Sequence, residues 1–493
     1  MEKYKNRILW LLFGLSFVWL SLTTLKIDNT NYIKISKGNN TCNCYSSSSL
    51  YNIVINFNNQ VPGDLATFGN QSQADCFAWQ EFISLNWPTD GSTNFGQPGD
   101  YDPVAWETYM PKEVLFQAGG VKPPAWGTLV SPAFASKFKT QRLIFNTKKT
   151  KLLTFSAKFA DTDTINSMSP SQAAPFNAPN WLGAQNKTNV WYEIMLNQDY
   201  YNFVVTNGYY NAINQHNSVK NGIPINFPKG VYNGSVGAIE LKAAWMEVTD
   251  LQSPKWNRYK LSKAVVMDAL TGQLRNTTVA LVGLHILHKT TNQPTWVWAT
   301  FEHIDNVPNT TSETPPPYGY NFYNPNCTPQ QVSLKNGTNV SVTCTANTSP
   351  PYYLTDANPV PIQITRVNSI DTEDAAPINS KMQNSIKGFY PNSVFQYYQL
   401  VDVIWSQIVQ PDPTTPIQAP RALNPSSMQS GKTIVANSTM ESYVQNTNTC
   451  TSCHVYSTIA PYPKDSINNN IFGDFSFAIS GATYPTLNLK RKK

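Results

Sequence analysis

Cys450-Thr451-Ser452-Cys453-His454 is the stretch of this chain whose residue types and spacing can do defined chemistry. Two thiols three residues apart can add to the two vinyl groups of a haem, and a histidine directly after the second can ligate its iron. With seven Cys and five His in 493 residues, such a string arises by chance with a frequency on the order of 10⁻³. The competing chemistry is a redox C-x-x-C, which opens a helix just after a strand in a βαβ unit. Here the flanks, Asn446-Thr447-Asn448-Thr449 and Val455-Tyr456-Ser457, are polar and loop-like. A zinc site needs four ligands, and no second C-x-x-C or H-x-x-x-H accompanies the first. The motif predicts one covalent haem c, with Cys450 and Cys453 as anchors and His454 as the proximal iron ligand.

The other axial position is not written into the motif. Val455 to Lys493 contain neither Met nor His, so a sixth ligand comes from upstream, from a partner or from solvent. Met440 and Met428 are nearest in sequence, followed by Met382 and His303, although the ordinary role of any single Met is core packing. A Met or His at that position favours electron transfer, whereas an open position permits peroxide, oxygen or small-ligand chemistry.

A second concentration of chemistry lies at His285, His288 and His303, with Glu302 and Asp305. TVALVGLHILHK and TWVWATFEHI read as two strands joined by a short loop. If residue 288 opposes 297, then Leu284, Ile286, His288, Val297, Ala299, Phe301 and His303 share one face. His285, Trp296, Trp298 and Glu302 take the other, and a one-residue slip reverses this. The histidines could form a non-haem metal site with carboxylates, supply a distal haem ligand or proton donor, or line a substrate pocket with Trp296 and Trp298. They could equally be hydrogen-bonded core residues.

Lys3, Lys5 and Arg7 precede an apolar run, Ile8 to Leu22, which reads as a signal peptide or an N-terminal membrane anchor. Either orients the remainder outward, and haem attachment to C-x-x-C-H takes place outside the cytoplasm. The expected location is periplasmic or extracytoplasmic. The other cysteines suit an oxidising compartment: Cys327 and Cys344 bracket a hairpin and are expected to pair, as is one pair among Cys42, Cys44 and Cys76. The composition, 41% hydrophobic and 13% charged with a net charge of +6, describes a folded protein. Without a basic stripe interleaved with aromatics, nucleic acid is excluded as a partner. The membrane enters only through the N-terminal segment.

The elements that must position these residues read as short strands and helices. Asp75 reads as the N-cap of a helix over CFAWQEFISLNW. Strands are expected at 51–57, 150–160, 189–196, 236–248 and 395–405, with 236–248 alternating as a half-buried strand. Helices are expected at 199–215 and 371–388, and Ser438-x-x-Glu441 reads as a capping box opening a short helix, STMESYVQ. The fold class is α+β and β-rich, sandwich-like antiparallel sheets with short helices, unlike a small all-α cytochrome c domain. Residues 1–25 form the signal or anchor, 50–425 the β-rich body, and 426–493 a haem-attachment segment packed on that body.

CFAWQEFISLNWP, WATFEHIDNVP and NSTMESYVQ…CTSCH together resemble a family of exported bacterial proteins known as the cytochrome c family, over roughly Cys76 to His454. The resemblance implies one haem c and export, and it implies that the helix near Trp79 and the hairpin around His303 belong to one unit with the haem. The expected function is single-electron transfer with an unidentified redox partner protein. The alternatives are a haem-dependent oxidoreductase with an open sixth site and aromatic pocket, or a binding scaffold using haem as a relay.

Overall fold

The computed structural model describes residues 43–44, 53–54, 56–131, 134–136, 138, 143, 146, 149–154, 182–267, 273–310, 313–333, 339–348, 362–423, 434–446, 450–462 and 470–485. The N-terminal segment 1–25 and Met428 lie outside them. In chain order the elements are β1 (Asn43–Cys44), β2 (Ile53–Val54), α1 (Gln71–Leu85), β3 (Met110–Pro111), α2 (Lys112–Leu115), β4 (Thr150–Leu153), β5 (Val190–Leu196), α3 (Gln198–Thr206), α4 (Ala212–Lys220), β6 (Ile239–Glu247), β7 (Leu261–Met267), β8 (Leu274–His288), β9 (Val297–His303), β10 (Gln330–Ser333), β11 (Asn339–Val342), α5 (Ala375–Phe389), β12 (Tyr398–Ile404) and α6 (Cys450–His454). The fold is mixed α+β and β-rich. Its antiparallel strands form one curled sheet of eight, ordered β12-β9-β8-β6-β5-β3, with β7 on β8 and β4 parallel to β7. Among the described residues no helix is long and apolar enough to cross a membrane.

The centre of the sheet is β8, whose run TVALVGLHILH has almost no polar alternation because both its faces are covered. Leu284 and Ile286 face α1 and α5, in a core with Phe77, Trp79, Phe82, Phe301, Ile378 and Met382. Phe82 stacks on Phe301 at 4.4 Å. Asn379 of α5 reaches into the sheet edge: it donates to the Leu400 carbonyl, and its Oδ1 accepts from both the Leu400 N–H and Trp79 Nε1. These bonds satisfy β12 where its pairing with β9 slips between Leu400 and Asp402. Leu287 and Trp298 face the opposite way, towards α3 and the C-terminal stretch, with Tyr200, Phe472, Phe475 and Ile479.

β8 and β9 pair with 288 opposite 297, the register expected from the short loop. β6 differs from expectation. It is buried on both faces, Glu240 included, because described residues between Val435 and Ala482 cover the face that local alternation assigns to solvent. Helix α1 begins earlier than expected: Asn70 is its cap, accepting from the Gln73 N–H, and Asp75 lies inside the helix, accepting from Gln71 Nε2. The helix expected over 199–215 is two, broken at Gly208 (φ +68°) and restarted by the Asn211 cap. The strand expected from Phe395 starts at Tyr398, after a turn capped by Ser393. STMESYVQ forms turns, not a helix. The N–H and hydroxyl of Ser438 both donate to Glu302, and it is Asn437 that caps the first turn. Cys327 and Cys344 form a disulfide beside the β10–β11 hairpin. Cys76 is also disulfide-bonded, its partner outside the described side chains.

Gly283 marks a bulge in β8, where the pairing with β6 slips between Ala244 and Trp245. The segment 437–440 lies directly on it: an added Cβ would stand 2.3 Å from Thr439 Oγ1. Thr439 cannot yield easily, because its hydroxyl and N–H are both held by Asn437 Oδ1. Gly283→Ala is expected to destabilise the protein by about 1–3 kcal/mol through overpacking. Urea unfolding should show a lowered midpoint, partly restored in the Gly283→Ala/Thr439→Ala double variant.

Candidate functional site

The covered face of the sheet presents cross-strand rows. Glu240, Leu287 and Trp298 form one row, and Lys242, His285 and Thr300 the next. Buried polar groups on such a face need partners, and the covering segment supplies them. Ser476 donates to Glu240, and Glu441 bonds His285 Nε2 at 3.1 Å. Asn437 donates to Thr300 Oγ1 and to the Phe301 carbonyl.

This cover delivers α6, which carries Cys450, Cys453 and His454, with the His454 ring on Trp298. The His454 ring packs against Trp298 at 4.6 Å and Phe477 at 4.8 Å. Its Nδ1 lies 2.6 Å from the Phe475 carbonyl. A carbonyl only accepts, so Nδ1 carries the proton and Nε2 keeps its lone pair. Burial pulls the imidazole down to about pKa 4, so it is neutral at pH 7.

The carbonyl that fixes His454 sits on an unusual corner. Asp474 and Phe475 both adopt positive φ, 55° and 63°, a conformation costing non-glycine residues roughly 1–2 kcal/mol each. Asp474 Oδ2 holds the corner by accepting from the Phe227 N–H and from Lys289 Nζ. Lys289 is fully buried at the end of β8 and also pairs with Asp412 at 2.9 Å. Burial nevertheless raises the Asp474 carboxyl to about 6. The motif alone gave no sign of this support. A lysine closing a long apolar strand was the only signal of it in the sequence.

Cys450 and Cys453 are free thiols. Burial raises both, Cys453 to about 11. A dithiol poised for exchange has the opposite property, a depressed pKa at a helix start. The donor set fits a haem c instead: two neutral thiols on one helical turn, and beside them a neutral imidazole with one nitrogen anchored and the other available. Lys242, Glu441, Cys450 and His454 are deeply surrounded by protein, yet each keeps accessible surface.

The other residues singled out from sequence lie elsewhere. Met440 is fully buried in a separate core with Tyr192, Met246, Val282 and Phe322. Met382 packs with α1. His303 projects from the sheet face opposite Trp298 and stacks on Tyr259 at 3.8 Å. Its Nε2 donates to the Arg258 carbonyl, and Nδ1 accepts from the Asp305 N–H. His288 bonds Glu81 and the Val236 carbonyl. The three hairpin histidines therefore diverge. Among the described residues no group of three or more His, Cys, Asp or Glu is placed to hold a metal ion.

Burial pushes His303 down to about 4, against an ordinary 6.5. The folded state keeps it neutral while the unfolded chain takes up a proton. Its contribution is therefore complete above about pH 6.5 and is lost as pH falls towards 4. The loss over that window is expected to be about 2–3 kcal/mol. Chemical denaturation as a function of pH should show a shallower acid limb in His303→Gln than in the parent, whatever the offset at pH 7.

No protein-family model, no curated protein and no solved structure matches this chain.

Proposed function

We propose that this protein is an exported monohaem c-type cytochrome that passes single electrons to a partner protein. One observation carries the reading: His454 is a neutral imidazole anchored through Nδ1 to the Phe475 carbonyl, and it stands beside two unpaired thiols. Cys450 and Cys453 would hold the haem through thioethers, and His454 Nε2 would ligate its iron. When bound, the group supplies a one-electron Fe(III)/Fe(II) couple. The chain's part is to hold the imidazole in one tautomer, through a corner that Lys289 and Asp474 keep in place, and to exclude water with Trp298, Phe475 and Phe477. An extracytoplasmic location is supported by the contrast between these free thiols and the disulfides at Cys76 and Cys327–Cys344.

Expression alongside haem-attachment machinery should yield one haem per chain that survives denaturation and acid–acetone extraction. Cys453→Ala leaves one thioether, so its pyridine haemochrome band should move to longer wavelength. Extractable haem in the parent, or an unmoved band in the variant, would sink the proposal.

A further inference from the structure

The haem c reading leaves the second axial ligand unnamed, and the sheet points to one. Of the three hairpin histidines, only His285 lies on the face where the motif sits. His288 and His303 belong to the other face by register. His285 stands in a row between Lys242 and Thr300, one row from Trp298, the residue His454 packs on. It is within electrostatic reach of His454, as are Lys242 and Glu441. Lys242 and Glu441 also neighbour Cys450 and Cys453. Lys242 and His285 thus stand on the sheet face that the motif's His454 packs on, within electrostatic reach of the motif.

The hydrogen bonding of the two imidazoles is alike. His454 bonds through one nitrogen to the Phe475 carbonyl, and His285 through one nitrogen to the Glu441 carboxylate. Among the described residues the second ring nitrogen of His285 makes no hydrogen bond. Metal-ligating histidines commonly use their non-ligating N–H in this way, towards a carbonyl or carboxylate that fixes the ring and raises its basicity. Lys242, directly opposite His285 across the β6–β8 pair, balances the charge of Glu441.

We propose that His285 is the second axial ligand of the haem carried by Cys450, Cys453 and His454, with Glu441 as its positioning partner. The proposal rests on the haem c reading, and haem content is measured separately to keep the two apart. In the purified holoprotein, absorption and electron paramagnetic resonance spectra should show low-spin iron with two imidazoles, and the reduced form should resist carbon monoxide. His285→Ala should keep its covalent haem by pyridine haemochrome but become high-spin and bind carbon monoxide. Added imidazole should restore the low-spin spectrum, which a merely structural histidine would not allow. Should His285→Ala fail to fold, His285→Met decides: it should replace the two-imidazole signature with a histidine–methionine one. Glu441→Gln should stay low-spin while weakening ferric over ferrous binding about tenfold, a rise of about 59 mV in midpoint potential. High-spin or carbon-monoxide-binding iron in the parent, or an unchanged low-spin spectrum in either His285 variant, overturns the assignment. An unmoved potential in Glu441→Gln removes Glu441 from it. Absence of covalent haem in the parent would instead sink the underlying reading.

Discussion

Everything at the motif depends on β8 having no solvent face. A strand buried on both sides must send alternate side chains into two different environments. Here Leu284 and Ile286 enter the helix-covered core, and His285 and Leu287 enter the covered polar face. The register with β9 is held by the loop after β8, where Gln293 bonds the Ser406 carbonyl and N–H. A slip by one residue would carry His285 into the apolar core and Ile286 onto the covered polar face. The bulge near Gly283 fixes the change of phase, since residues on either side of it pair with β6 in different registers.

The second face is covered by chain with little regular structure, so backbone ladders cannot position it. Side-chain bonds do so instead. Glu240 meets Ser476, which also bonds Tyr200; Glu302 meets Ser438 and Arg366; Lys289 meets Asp474 and Asp412. Buried ion pairs add little net stability over apolar packing, but breaking one of them strands a charge at a cost of several kcal/mol. They therefore act on where the cover docks more than on how firmly the domain folds. An apolar surface would accept several registers of a loop-like cover, whereas this row of charges accepts one.

The features legible in the sequence were those whose partners lie nearby along the chain. The Cys327–Cys344 pair and the 288–297 register each follow from a few neighbouring residues. The misread features had distant partners. β6 looked half-exposed because Glu240 and Lys242 alternate with apolar residues, and their cover arrives some 200 residues later. STMESYVQ carried a capping pattern, but Glu302 takes the Ser438 hydroxyl and N–H that a capped helix would use. Asp75 matched an N-cap in type, yet α1 is buried nearly all round and begins at Asn70, so its apolar spacing gave no sharp start. Sequence proximity likewise pointed to Met440, which the fold buries in a separate core, whereas strand pairing places His285 on the same sheet face as Trp298, on which His454 packs.

The two imidazoles are both referred to one strand. His285 is on β8, and Lys289, four residues on, holds the Asp474 corner whose neighbouring carbonyl fixes His454. Four extended residues span about 13 Å, a distance set by backbone geometry within a paired strand and not by a hinge. On the proposed reading, an imidazole tied to a backbone carbonyl and one tied to a carboxylate, both referred to the same strand, would have little freedom to shift when the charge between them changed by one. A site that admits and releases a substrate needs a wall that can move. Here each imidazole is held by groups whose displacement would leave Asp474 or Glu441 without its partner, which is why we propose an electron carrier in preference to an enzyme with an open iron.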